Sequence, residues 1–239
     1  MAGIFGQYKH SNISDRIYSV NRLKVFISGQ KKFGEEVLRL CLQKGCEVAG
    51  VCCPVEDEYI AVLARLHNIP IIPAGTLTVD TMIKGVDLGI TAHSFEYIGK
   101  RTRYMPRLGW IGYHPSLLPR HRGRSAIEWA IRMGDPVTGG TVYWLNAGID
   151  RGDIACQDWC FIDPALRIKE PKKAAAELWR ETLLPMGVRL MSKTIDDISA
   201  GKIIRKPQDN RFSTFEPSTD VKDIYKPDLL MLPGPTSGI

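Results

Sequence analysis

The stretch Leu23-Lys24-Val25-Phe26-Ile27-Ser28-Gly29-Gln30-Lys31-Lys32-Phe33-Gly34-Glu35-Glu36-Val37 decides the fold. Leu23 to Ser28 is a short apolar run, the pattern of a strand buried on both faces of a parallel sheet. A helix is predicted over Phe33 to Lys44, where Val37, Leu38, Cys41 and Leu42 recur at helical spacing and Gly45 provides a stop. Gly29 and Gly34 flank the turn between the two. That turn is neither a G-x-G-x-x-G fingerprint nor a Walker A loop. A tight strand-to-helix connection explains both glycines, and an anion at the helix N-terminus stays open as an alternative.

The alternation continues outward from this unit. Strands are expected at Glu47 to Cys53, Ile69 to Ile72, Val86 to Ala92 and Trp110 to Tyr113, with helices at Glu58 to His67 and Ser125 to Met133. A short helix is expected at Thr78 to Lys84, and an irregular loop at His93 to Ile98. Gly140 to Leu145 and Ile154 to Phe161 read as an antiparallel edge pair around the loop Asn146 to Asp153. Lys172 to Ala200 is the longest helical stretch, kinked at Pro185. The fold class is α/β: a Rossmann-like, mainly parallel sheet with helices on both faces, a short C-terminal helix and tail, and no β-barrel domain. The expected organisation is an arm at 1–22, a catalytic domain at 23–205 and a tail at 206–239. Ligands of such sheets sit beyond the carboxyl ends of the strands, so His93 to Ile98 and His114 are expected to share one crevice.

A chain of 239 residues that is 44% hydrophobic can bury one sizeable core. The net charge of +6 suits an anionic small molecule, a phosphorylated acceptor or nucleic acid. No nucleic-acid motif accompanies the spread-out charge, so much of it reads as solvated surface. The six cysteines form no C-x-x-C pair and the five histidines complete no zinc pattern. Free thiols, no metal and a reducing, cytoplasmic compartment are expected. No apolar run suits a signal peptide or a membrane span.

Chemistry concentrates at Gly112-Tyr113-His114-Pro115-Ser116-Leu117-Leu118-Pro119 and at Gly148-Ile149-Asp150-Arg151-Gly152-Asp153. His114 ends a predicted strand and Pro115 stiffens the turn after it. An imidazole and a carboxylate at two strand ends can exchange protons with a substrate near neutral pH. Taken singly, a core histidine and a turn-capping aspartate are ordinary. Together they suit acyl-type transfer: the imidazole stabilises an oxyanion or protonates a leaving nitrogen, and the carboxylate orients it. A serine nucleophile is less attractive, because Ser116 is two residues from His114 and no G-x-S-x-G elbow exists.

At these residues the chain resembles the formyltransferase family that uses 10-formyltetrahydrofolate, from about Leu23 to Pro217. Tyr113 to Gly123 and Gly148 to Asp153 carry the resemblance. In motif it is closest to the hydrolase domain of 10-formyltetrahydrofolate dehydrogenase, through Tyr113 and the Ser28-Gly29-Gln30 to Val37 opening. The resemblance implies 10-formyltetrahydrofolate as formyl donor, with His114 and Asp150 catalytic. It places Glu96, Tyr97 and Ile98 in a folate loop whose main chain reads the pteridine, Ser116, Leu117, Leu118 and Pro119 along the folate site, and the Asn146 to Asp153 loop over the pteridine.

One departure stands out. Most members carry Asn two residues before the histidine, where its amide helps hold the formyl oxygen; this chain has Gly112. Losing such a donor costs on the order of 3 kcal/mol. Water, a backbone N–H or the acceptor itself are the candidate replacements. Strand alternation points Tyr113 away from Gly112 and His114.

The expected reaction passes the formyl group to an amine or hydroxylamine of a small metabolite. Hydrolysis to formate is the first alternative, and a non-catalytic folate- or RNA-binding protein the second. Arg122, Arg124 and Glu128 are candidate acceptor-binding residues, the arginines for phosphate or carboxylate and the glutamate for an ammonium. Arg120 belongs to the same basic run. A solvated loop explains the arginines equally well, and a surface helix charge is the commoner explanation for Glu128. Too few residues follow Gly201 for the β-barrel that methionyl-tRNA formyltransferases usually add, which speaks against nucleic acid. The partner is a small-molecule acceptor, with no membrane, and a homodimer is compatible.

Overall fold

The computed structural model describes residues 22–219. Most of the expected arm and the last part of the tail lie outside the described residues. The chain runs β1 (Lys24–Gly29), α1 (Lys31–Gln43), β2 (Glu47–Cys53), α2 (Ile60–Leu66), β3 (Ile71–Pro73), β4 (Leu88–Ala92), α3 (Lys100–Arg103) and β5 (Trp110–His114). It continues through α4 (Ala126–Arg132), β6 (Val137–Trp144), β7 (Ile154–Phe161), α5 (Pro171–Leu178), a π-helical turn (Trp179–Leu183) and α6 (Leu184–Ser199). A single 3-10 turn, Asn210–Phe212, follows.

The seven strands form one sheet in the order β3-β2-β1-β4-β5-β6-β7. The first five are mutually parallel, and β6 and β7 each run antiparallel to their predecessor. The expected antiparallel edge pair is therefore present. Chain order reverses across β1, which lies between β2 and β4. In an open parallel sheet this switch point opens a crevice at the strand ends.

Alternate strand residues feed opposite faces. Val25, Ile27, Ile90 and Ile111 join Phe33, Val37, Leu38, Leu190 and Met191 of α1 and α6 in the main core. Phe26, Cys52 and Trp110 face a smaller cluster closed by Leu77, Met82 and Ile98. Each fully buried large apolar side chain contributes about 1.5–3 kcal/mol. The smaller cluster is covered by turns where a helix over Thr78 to Lys84 was expected. There Thr81 Oγ1 donates to the Thr76 carbonyl at 2.8 Å and accepts from Thr78 N at 2.8 Å. Threonine hydroxyls thus satisfy the local backbone in place of a helical ladder.

The turn after β1 is tight for a packing reason. A Cβ on Gly29 would lie 2.6 Å from the Ala92 carbonyl oxygen, and one on Gly34 3.2 Å from the Gly29 carbonyl carbon. Only glycines let α1 begin this close to β4. The long C-terminal helix is interrupted as its proline required, but as a π-helical turn ending two residues before Pro185. Proline has no N–H for the carbonyl four residues back, so the ladder widens locally. Inside that turn, Tyr113 Oη donates to the Leu183 carbonyl at 2.7 Å.

Candidate active site

His114 is the last residue of β5 and only 7% exposed. Its Nε2 lies 2.7 Å from the His121 carbonyl oxygen. A carbonyl only accepts, so Nε2 carries a proton and the neutral ring has its lone pair on Nδ1. That Nδ1 faces Asp150 Oδ2 at 3.6 Å. Asp150 stands in a turn at φ +51° with both oxygens held: Oδ1 accepts from Tyr143 Oη at 2.6 Å, and Oδ2 from the Gly123 N–H at 2.8 Å. Beside it, burial first and the Asp150 charge second push the Tyr143 phenol well above its ordinary range, so it stays a donor.

The turn between His114 and Gly123 is braced from below. Ser116 Oγ donates to the Arg120 carbonyl at 2.7 Å, and Thr141 Oγ1 donates to the Ser116 carbonyl at 2.7 Å. Arg120 forms a two-pronged pair with Asp135 at 2.6 and 2.7 Å. Burial opposes ionisation of Asp135, but its bonds to Arg120 and His121 prevail and hold its carboxyl below the usual range. The buried His121 ring places Nε2 2.8 Å from Asp135 Oδ2 and Nδ1 3.1 Å from Glu216 Oε2, the latter a close contact and not an aligned hydrogen bond. The segment 206–219 returns over this turn: Thr214 accepts from the His121 N–H through Oγ1 at 2.8 Å and from the Arg122 N–H through its carbonyl at 3.1 Å.

A cavity of about 570 Å³ opens above His114 and Asp150. That size suits a small organic ligand. Its aromatic wall includes Phe33, His93, Phe95, Tyr143 and Trp179. His93, at φ +56°, meets Phe95 and Trp179 edge-on, with centroids 5.7 and 5.8 Å away. Burial first, then the Lys31 and Arg124 charges, lower its pKa to about 4. The native ring is therefore neutral at pH 7, whereas an unfolded histidine protonates near 6.5. Stability from this site is present above pH 6.5 and is lost as the pH falls towards 4. The loss should approach about 3 kcal/mol. Urea unfolding at pH 7 and pH 4.5 should show a steeper acid destabilisation for the native protein than for His93→Phe; equal slopes would refute the assignment.

The expected site residues divide. His114, Asp150, Arg124 and Glu128 all line the cavity. The Arg124 guanidinium sits 4.5 Å above the Phe95 ring. Glu128 is 6% exposed, with Oε1 2.6 Å from Arg132 Nη2 and Oε2 accepting from Thr219 Oγ1 at 2.7 Å. Arg122 does not reach the cavity: it is buried, and its Nη2 donates to Gln208 at 2.6 Å and to Asn210 at 2.8 Å. Ser116, Leu117, Leu118 and Pro119 do not line the cavity and lie in the braced turn. Glu96 turns aside to accept from the Gly75 N–H, Tyr97 is exposed and Ile98 is buried in the smaller core cluster. At that loop the wall is made by His93, Ser94 and Phe95. The sequence reading placed the loop starting at His93 in the crevice, as found, but missed Tyr143 and Thr91. Tyr143 had a usable signal, since it lies near the end of a strand seven residues before Asp150.

The space beside Gly112 is filled. A Cβ there would collide with Thr91 Oγ1 from the neighbouring strand and lie 3.1 Å from Leu145 Cδ1. Tyr113 points the other way, onto Phe33 and Trp179.

The formyl transferase family matches residues 77–185, a stretch that holds both His114 and Asp150. Those residues are a formyl transferase domain. Mitochondrial 10-formyltetrahydrofolate dehydrogenase of Mus musculus is 33% identical over 217 residues, 85% of this chain and 23% of that protein. The cytosolic 10-formyltetrahydrofolate dehydrogenase of Homo sapiens is 31% identical over 208 residues, 81% of this chain and 22% of that protein. The chain thus spans less than a quarter of the length of these curated relatives. Among solved structures, WlaRD, a sugar 3N-formyl transferase, superposes with a TM-score of 0.65 at 19% identity, over 81% of this chain and 69% of that one. The domain therefore has the formyl transferase fold, with its histidine and aspartate at the mouth of the crevice left by the sheet's order reversal. No helix of the described residues is long and apolar enough to cross a membrane.

Proposed function

We propose that this protein transfers a formyl group from 10-formyltetrahydrofolate to an amine or hydroxylamine on a small metabolite. The observation that carries the reading is the His114–Asp150 contact at 3.6 Å, with His114 Nε2 tied to a carbonyl so that Nδ1 is the atom that moves protons. His114 Nδ1 takes the proton of the attacking amine, Asp150 stabilises the imidazolium, and the proton passes to the nitrogen that leaves. The aromatic wall suits a pteridine. The 10-formyltetrahydrofolate dehydrogenases support the donor by name, and WlaRD was solved with 5-N-formyl-THF and dTDP.

An acceptor with a phosphate or carboxylate is supported by Lys31, Arg124 and Lys172. All three line the cavity, and none has a carboxylate partner for its side chain among the described residues. The six cysteines are free, which suits a reducing, cytoplasmic setting. Water as acceptor is the second reading, favoured by the likeness to the dehydrogenases at 31–33% identity.

The test is incubation with 10-formyltetrahydrofolate, following tetrahydrofolate release with and without candidate amines. Release that depends on an amine, with a formylated product, is expected. Release of formate without one would replace transfer by hydrolysis, and tight folate binding without turnover would leave a binding protein.

A further inference from the structure

A carbonyl attacked by an amine becomes an oxyanion, and that oxygen needs a hydrogen-bond donor which does not also serve the proton relay. Most hydroxyls on the cavity wall are already spent. Tyr143 donates to Asp150 at 2.6 Å, Tyr113 to the Leu183 carbonyl at 2.7 Å and Thr219 to Glu128 at 2.7 Å. Ser94 is bonded to Ser28 at 2.6 Å, Ser125 to Thr219 at 2.9 Å, and Ser218 is also engaged. Thr91 differs: among the described residues its hydroxyl meets only the Ile111 carbonyl, at 3.4 Å. That is the long limit for such a bond, so rotation towards a ligand loses little.

The position is as informative as the weakly held proton. Thr91 pairs with Gly112 across β4 and β5. Its Oγ1 occupies the space a side chain at 112 would take. Gly112 and His114 share one face of β5, so the hydroxyl is on the same sheet face as the imidazole and lines the same cavity. Side chains at 91 and 112 exclude each other there, and the chain has kept the one from β4.

We propose that Thr91 is a catalytic residue whose hydroxyl donates to the formyl oxygen as it becomes an oxyanion. The assignment rests on the formyl-transfer reading. The acceptor nitrogen forms a bond to the formyl carbon, and the carbonyl π pair moves onto the oxygen, where Thr91 O–H meets it. The proton lost by the acceptor nitrogen goes to His114 Nδ1. The oxygen pair then re-forms the C=O bond, the bond from carbon to N10 breaks, and N10 takes the His114 proton. The products are formylated acceptor and tetrahydrofolate, with Thr91 and His114 unchanged.

The test compares Thr91→Val, Thr91→Ser, Thr91→Ala, Gly112→Asn and the double variant Thr91→Ala/Gly112→Asn. Turnover is measured with 10-formyltetrahydrofolate. Binding and the carbonyl infrared band are measured with stable 10-formylfolate carrying a carbon-13 formyl label. Thr91→Val should lower kcat about 100-fold, with 10-formylfolate affinity within about twofold, and should move the bound carbonyl band to higher frequency. Thr91→Ser should keep most of the activity. Gly112→Asn alone should lose activity by collision, and the double variant should exceed Thr91→Ala by about tenfold or more, because the amide enters the vacated space. Wild-type kcat and an unmoved band in Thr91→Val would overturn the proposal. A wild-type protein that releases no folate with any acceptor would sink the formyl-transfer reading instead. The band comparison would still decide whether Thr91 touches the formyl oxygen.

Discussion

His114→Ala should lower formyl release from 10-formyltetrahydrofolate by about 10³–10⁴-fold with the fold intact. The residue stands at the end of β5, where its ring contacts the His121 carbonyl and Asp150 and is not a central member of the core. Its removal strips the relay of the one atom that both takes and returns the proton. Asp150→Asn should cost about 10²–10⁴-fold for a different reason. The Asn carbonyl can still accept from Tyr143 or Gly123, but no negative charge remains to hold the imidazolium. Because the two residues act as a unit, the double variant should be scarcely worse than either single one. Circular dichroism and donor affinity near wild type, with kcat alone reduced, complete the expected result. Either single variant turning over at near-wild-type rates would remove the assigned roles.

Arg122→Leu should destabilise the protein by about 3 kcal/mol and lower kcat together with it. The guanidinium is 4% exposed and gives three hydrogen bonds to Gln208 and Asn210. Gln208 Nε2 in turn donates to the Asp150 carbonyl at 2.8 Å and the Gly152 carbonyl at 2.7 Å. Cutting the first link leaves the half-buried Gln208 amide oxygen without its guanidinium donor and frees the turn that aims Asp150 at His114. Burial and the Arg151 charge already press the Arg122 pKa below its ordinary value, so the site tolerates the charge only through its partners. Urea unfolding and the KM for an anionic acceptor separate this role from direct recognition. A large rise in KM with unchanged stability would return Arg122 to the acceptor.

Much of the architecture was legible in local pattern. Val25-Phe26-Ile27 and Leu88 to Ala92 are apolar runs because both sheet faces are covered, and that burial leaves its mark on consecutive residues. The Ile154–Phe161 strand matches its expected limits because its burial alternates along an edge. Thr78 to Lys84 misled, since its apolar Met82 and Ile83 pack against a small cluster from threonine-braced turns and not from a helix face. The one-turn helix Lys100–Arg103 left no apolar periodicity to read.

By itself the sequence determined the strand–helix alternation, the tight glycine turn after β1 and the place of His114 at the end of a strand. These follow from hydrophobic period, from glycine and proline, and from one histidine locked between a strand and Pro115. Only the tertiary structure decided which partners the site residues keep. Tyr143 at Asp150, the His121 carbonyl at His114, Gln208 under the aspartate turn and Thr91 over Gly112 come from neighbouring strands, from the turn folded back under His114 and from the returning C-terminal segment. Hydrogen bonds and excluded volume act between side chains brought together in space, and a linear pattern carries no record of which ones meet.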